Sequence, residues 1–149
     1  MTEPRVPHLR TRHPLAPGPV ALVAAGGAIG ALARYGVTRA LPGAPGSFPA
    51  TTFAVNVGGA FLLAVLLEVL VRKGAPEHWL RLFAGVGVLG AFTTFSTFAT
   101  ETALLWRGGR HTTAVLYATS SAVAGVVAVF AGLAVAGWRR TPVPAEDES

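Results

Sequence analysis

Apolar residues dominate four stretches of the chain, about 19–41, 50–71, 82–106 and 113–138, and segments rich in proline, glycine and charge separate them. Roughly 20 helical residues cross a bilayer core, so each stretch predicts one membrane-spanning helix. Polarity returns inside the third, in the run Thr93-Thr94-Phe95-Ser96-Thr97-Phe98. Hydroxyl groups are costly in hydrocarbon unless they have hydrogen-bond partners. On a continuous helix Thr93, Ser96, Thr97 and Thr100 fall at i, i+3, i+4 and i+7 and form one stripe. Phe92, Phe95 and Phe98 recur every three residues and form a second stripe beside it. A hydroxyl stripe alongside an aromatic stripe predicts a path for a small solute or ion.

The third stretch also argues against its own continuity. Gly85, Gly87 and Gly90 precede the run, and glycines together with β-branched residues make a poor uninterrupted helix. The expectation is a break near Gly90 to Thr94 that frees backbone carbonyls for a cation. Broken backbone is tolerated at membrane depth where protein buries it. Glu101, four residues after Thr97, either continues the polar face or is a solvated residue at a helix end.

Gly26, Gly30 and Arg34 in the first span are spaced at i, i+4 and i+8, a small-residue face of the kind that lets helices approach closely. Arg34 either snorkels to an interface or lines an aqueous vestibule. The Gly26-Gly27-Ala28-Ile29-Gly30 run follows no strand and precedes no suitably placed acid, so it is not a dinucleotide fingerprint. In the second span Thr52 and Asn56 share a face. Asn56 either clamps a neighbouring helix or donates its amide to an anion. Glu68 and Arg72 are placed for an i, i+4 ion pair. The fourth span carries Tyr117 and Ser121 four apart, and Trp106 and Trp138 stand at span ends as interfacial anchors do.

With 149 residues, 52% hydrophobic and 13% charged, the four spans leave no room for a separate soluble domain. The organisation is a flexible basic tail at 1–18, a four-helix membrane unit at 19–141 and an acidic tail at 142–149. The net charge of +5 is spread over tails and span ends, with no basic amphipathic helix for nucleic acid. The side that holds the termini collects Arg5, Arg10, Arg12, Arg72, Lys73, Arg81, Arg139 and Arg140, against Arg39, Arg107 and Arg110 opposite. The positive-inside rule then puts both termini in the cytoplasm of a plasma-membrane protein. Zero cysteines exclude a thiolate site, and His8, His13, His78 and His111 have no metal-ligand spacing. Neither Gly-x-Ser-x-Gly nor His-Glu-x-x-His occurs, nor do paired carboxylates in a span, so an enzyme is not indicated.

Three sets of residues together resemble the Fluc fluoride-channel family, also called CrcB, over all four spans. They are the glycine-rich first span ending in Arg34-Tyr35, Thr52 with Val55-Asn56-Val57-Gly58, and Gly90-Ala91-Phe92-Thr93-Thr94-Phe95-Ser96-Thr97-Phe98. The resemblance implies an all-α membrane protein with four transmembrane helices, the third broken mid-membrane, assembling as an antiparallel dimer. It implies a passive channel exporting fluoride from the cytoplasm, with two pores and a structural sodium ion (Na+) at the dimer centre. Carried onto this chain, backbone carbonyls of Gly90 and Thr93 hold the sodium. Phe95 and Phe98 are the pore phenylalanines, and Asn56, Ser96 or Thr97, and Tyr117 are polar groups along the path. Arg34 lies at the vestibule and Glu101 at a pore-associated position. The chemistry is coherent in its own right. Hydroxyls, an amide and aromatic ring edges can replace the hydration of a compact anion without a fixed charge that traps it.

Two other classes compete. A proton-coupled four-span efflux transporter depends on a carboxylate in the first span, and 19–41 contains none. A non-transporting membrane assembly subunit would use the polar stripe as helix glue, and chloride is a narrower rival for substrate. The charge bias sits awkwardly with a subunit inserted both ways, so the partner expected is a copy or an oppositely biased homologue.

Overall fold

A computed structural model describes residues 17–44, 46–72 and 78–137. The predicted tails, apart from Pro17 and Gly18, lie outside the described residues, as do Lys73, Trp138, Arg139 and Arg140. Helix α1 runs Pro17–Ala40. Proline suits a first helical position because it has no N–H to leave unpaired. Pro42 disfavours helical geometry at Leu41, and α1 ends just before it. Helix α2 runs Ala50–Arg72 behind Pro49. The third span, His78–Arg107, is made of two arms. Its first arm, α3 (78–92), passes from a turn at His78–Leu80 through a π-helical stretch, Arg81–Leu89, to a turn at Gly90–Phe92. Its second arm, α4, is Phe95–Arg107. Gly109, in the left-handed region at φ +73°, turns the chain into α5, His111–Gly137.

Four helical segments among the described residues are long and apolar enough to cross a membrane, which makes this a multi-pass membrane protein. Their ends fall within about one helical turn of those expected from hydropathy. Large apolar side chains such as Leu32, Val123 and Phe130 face outward, as lipid contact requires.

Glycines set the packing. A Cβ on Gly26 or Gly30 would overlap the Phe83 and Val88 carbonyl oxygens, and one on Gly87 would lie 2.9 Å from the Gly26 Cα. Helices α1 and α3 therefore touch backbone to backbone, and the small-residue face ends at Arg34, whose Nε donates to the Ala91 carbonyl at 3.1 Å. Helix α2 meets α5 the same way at Gly132, where a Cβ would stand 2.7 Å from the Phe61 carbonyl oxygen. Between α4 and α5, Leu105, Ala114 and Tyr117 form a buried cluster joined by Phe48, Phe53 and Phe98. The expected Glu68–Arg72 pair closes at 2.6 Å.

Candidate functional site

Everything distinctive about the site starts from two residues. Thr93 (φ −75°, ψ 157°) and Thr94 (φ −147°, ψ 112°) are extended between α3 and α4. Thr93 closes α3: its N–H and its hydroxyl both donate to the Leu89 carbonyl, at 3.1 and 3.0 Å. Thr94 opens α4, its Oγ1 accepting from the Thr97 N–H at 3.2 Å and donating to the Thr97 hydroxyl at 2.9 Å. A threonine is suited to this N-cap role because its oxygen satisfies a helix N–H that has no intrahelical partner. The stripe expected on a continuous helix is corrected accordingly. Thr93 turns back onto α3, and only Ser96, Thr97 and Thr100 ride on α4. Phe92 likewise belongs to the arm before Phe95 and Phe98.

The interruption strips Thr94 of helical partners, and Asn56 supplies replacements. Its Nδ2 donates to the Thr94 carbonyl at 3.0 Å, and its Oδ1 accepts from the Thr94 N–H at 2.8 Å. A side-chain amide carries the donor and the acceptor that such a two-point match needs. Of the two roles open to Asn56, the clamp is present, and one Nδ2 hydrogen remains for another acceptor.

On one side of the interruption, Asn56, Thr93, Thr94, Phe95, Phe98 and Ser121 line an open groove of about 380 Å³. Phe95 is 80% exposed, so one of the two phenylalanines of the run stands free at the groove rather than in a core. The Phe95 and Phe98 ring centroids are 5.9 Å apart, and Phe98 continues to Tyr117 at 5.2 Å. Ser121 contributes a buried hydroxyl that has no partner among the described residues. The described lining contains no charged side chain.

A second cavity, of about 430 Å³, has a lining that includes Arg34, Arg39, Thr52, Thr94, Thr97 and Glu101. Two guanidinium groups against one carboxylate favour anions there. Thr94 lines both spaces. Glu101 is only partly exposed and is held at both oxygens, by the Thr52 hydroxyl at 2.9 Å and the Tyr117 hydroxyl at 2.8 Å. It therefore continues the polar face and is not a solvated helix end. Ser96 is exposed, with its Oγ 3.3 Å from that of Thr94.

The cation expectation rests on backbone alone, since the described residues hold no cluster of His, Asp or Glu suited to a metal. At the end of α3, Leu89 and Ala91 carbonyls accept from Thr93 and Arg34. No described residue donates a hydrogen bond to the Gly90 or Thr93 carbonyl.

Of the residues expected along one path, the structure places Asn56, Phe95, Phe98 and Thr97 at the interruption, while Tyr117 sits in the buried cluster with Leu105 and Ala114 and reaches them through Phe98. Sequence reasoning left Thr94 without a role, although a threonine three residues before another hydroxyl at a helix start is a recognisable cap. Phe48 and Arg110, which reach this region from loops, carry no periodic signal.

Comparison with known proteins supplies the family. A family profile described as "CrcB-like protein, Camphor Resistance (CrcB)" matches residues 21–133. A relative from Novosphingobium aromaticivorans named "Fluoride-specific ion channel FluC" is 51% identical over 118 residues, covering 77% of this chain and 93% of that protein. One of the same name from Caulobacter sp. is 46% identical over 118 residues, 77% of this chain and 91% of its own. A third, "Fluoride-specific ion channel FluC 3" from Streptomyces avermitilis, is 45% identical over 124 residues, 83% of this chain and 61% of the longer relative.

Proposed function

The chain belongs to the CrcB-like family, and we propose that it is the subunit of a fluoride-selective passive channel that exports fluoride across the plasma membrane. The observation that carries this reading is the groove of Phe95, Phe98, Asn56 and Ser121, which offers ring edges, an amide and an unpartnered hydroxyl but no fixed charge. Fluoride is compact and strongly hydrated, so a pore must replace its water with donors that also let it go. Ser96 or Thr97 extends the donors along the path, and Tyr117, whose one proton goes to Glu101, is a polar group beside it. Arg34 and Glu101 line the vestibule cavity, where net positive charge concentrates anions.

A groove that is open on one side needs a wall, and an 80% exposed Phe95 at membrane depth is better explained by a second subunit than by lipid. The proposed assembly is an antiparallel dimer in which each third helix, broken mid-membrane, meets its counterpart. Gly90 and Thr93 carbonyls at the end of α3 would hold sodium there. Hard oxygen donors at the negative end of a helix suit such a cation, and its charge would lower the cost of an anion in low dielectric. Both termini are cytoplasmic on the positive-inside rule. Because eight basic residues against three favour one orientation, the partner is either a copy or a homologue of opposite bias.

The test is fluoride efflux from liposomes holding the purified full chain, read by an electrode with chloride as control. The expected result is fluoride-selective efflux abolished by Phe95→Ile. Equal fluoride and chloride efflux would refute the substrate. A folded chain with no efflux, alone or co-expressed with an oppositely biased homologue, would refute the channel.

A further inference from the structure

The aromatic row does not stop at Tyr117. Phe48, from the loop between α1 and α2, meets the Tyr117 ring edge-on, with centroids 5.3 Å apart and planes at 82°. It also contacts Phe53 at 5.5 Å. Tyr117 is fully buried and donates its hydroxyl to Glu101. Tyr117 thus packs against both Phe48 and Phe98, and Phe48 supports a ring that touches Phe98.

A loop is a poor place for such a support unless something holds it. Local bonds shape it: the Ser47 N–H and hydroxyl both donate to the Ala44 carbonyl, and the Ala50 N–H donates to the Phe48 carbonyl. The long-range tether is Arg110, 64 residues away, whose Nη1 donates to the Gly46 carbonyl at 2.7 Å. Gly46 is fitted to this contact twice over. Its φ of +73° is left-handed, and a Cβ there would lie 2.7 Å from the Arg110 Nε. Beside the tether is a cavity of about 310 Å³ bordered by Gly43, Gly46, Ser47, Glu101 and Arg110. A released loop has space to move, and the cavity reaches Glu101.

We propose that Phe48 is a positioning residue of the permeation path, latched by Arg110 through the Gly46 carbonyl, and that it keeps the Tyr117 hydroxyl on Glu101. The chain of contacts runs from Arg110 to Gly46, along the loop to Phe48, then to Tyr117 and Glu101. This deepens the channel reading and rests on it for its effect on flux. Its structural core, the shielding of Tyr117, stands independently of that reading.

The experiment has two readouts on the purified full chain. The first is tetranitromethane nitration followed by mass spectrometry. The chain has two tyrosines, Tyr35 at 64% exposure and Tyr117 at none, so Tyr35 is the internal control. Wild type should nitrate at Tyr35 alone, whereas Phe48→Ala and Arg110→Gln should also nitrate at Tyr117. Arg110→Lys, whose ammonium can donate to the same carbonyl, should restore protection. The second readout is fluoride efflux. Phe48→Ala should slow it about tenfold, ~1.4 kcal/mol of barrier, and Arg110→Gln in addition should slow it no further. In a Tyr117→Phe background, which has no hydroxyl to position, Phe48→Ala should have little added effect. Tyr117 protected in both variants, or wild-type efflux from Phe48→Ala, overturns the proposal. Absent efflux from wild type, both alone and co-expressed with an oppositely biased homologue, together with the expected nitration pattern would count against the channel reading and leave the latch standing.

Discussion

Replacing Asn56 with alanine isolates the contact on which the interruption depends. The substitution removes both hydrogen bonds, of 3.0 and 2.8 Å, that fix the Thr94 peptide groups. Those groups are partly buried, and the Thr94 N–H, outside both helices, has Asn56 as its partner among the described residues. In a soluble interior each unsatisfied polar group costs about 1–3 kcal/mol. Measured interhelical hydrogen bonds in membranes are weaker, about 0.6 kcal/mol on average with a maximum near 1.7. Two bonds acting on adjacent groups beside an open groove place the loss at about 2 kcal/mol. For a chain of this length that lowers the melting temperature by roughly 4–8 °C.

The effect should be local before it is global. Hydrogen exchange in detergent should speed up in a peptide covering residues 90–98, while α2–α5 contacts around Gly132 keep their protection. Fluoride efflux should fall at least about tenfold, because Thr94 caps α4 and orients the Thr97 hydroxyl. Asn56→Asp keeps the acceptor for the Thr94 N–H but sets a second oxygen against its carbonyl, so it should be no better. Unchanged exchange over 90–98 with a melting temperature within about 1 °C of wild type would refute the clamp, since a ~2 kcal/mol loss cannot hide in that range.

Gly30→Ala should destabilise by about 1–3 kcal/mol through overpacking, because its Cβ would enter the Val88 carbonyl, while Gly27→Ala should be neutral, with nothing within 4 Å of its Cβ; equal melting temperatures for the two would contradict backbone contact between α1 and α3. Glu68→Gln should shift stability by less than about 0.5 kcal/mol and leave efflux unchanged, since an exposed i, i+4 pair contributes little; a large loss of efflux would show that Glu68 has a role beyond its bond to Arg72.

Periodicity made the spans legible, and spacing made the faces legible. Gly26, Gly30 and Arg34 share a face on paper and all meet α3 in the fold. Thr52 and Asn56 share another, and both reach the third span, at Glu101 and Thr94. Spacing failed where it assumed one continuous helix, because Thr93 and Thr94 take extended angles and each hydroxyl caps its own arm. Composition hinted at that interruption through Gly85, Gly87 and Gly90, but which residue the chain turns at depends on Asn56, 38 positions away. Phe48 and Arg110 were not legible at all. Loop residues have no period to betray which way they point, and the Arg110 tether is a single long-range hydrogen bond.

The interruption accounts for more than a gap in hydrogen bonding. Cutting one span into α3 and α4 sets a helix C-terminus beside a helix N-terminus, and these carry opposite partial charges. At the end of α3 the carbonyls of Gly90 and Thr93 accept from no described residue, and Arg34 already delivers a positive charge to Ala91. At the start of α4 the unpaired N–H groups belong to the turn that carries Phe95 and Ser96, beside the groove those residues line or border. The proposed anion path and the proposed cation site are therefore not separate inventions of this sequence. Both follow from the same two extended threonines, and the neutral clamp at Asn56 preserves both because it stabilises the peptide without adding charge to either end. A charged clamp would favour one end and penalise the other, so Asn56 should tolerate no ionised replacement even where the fold survives it.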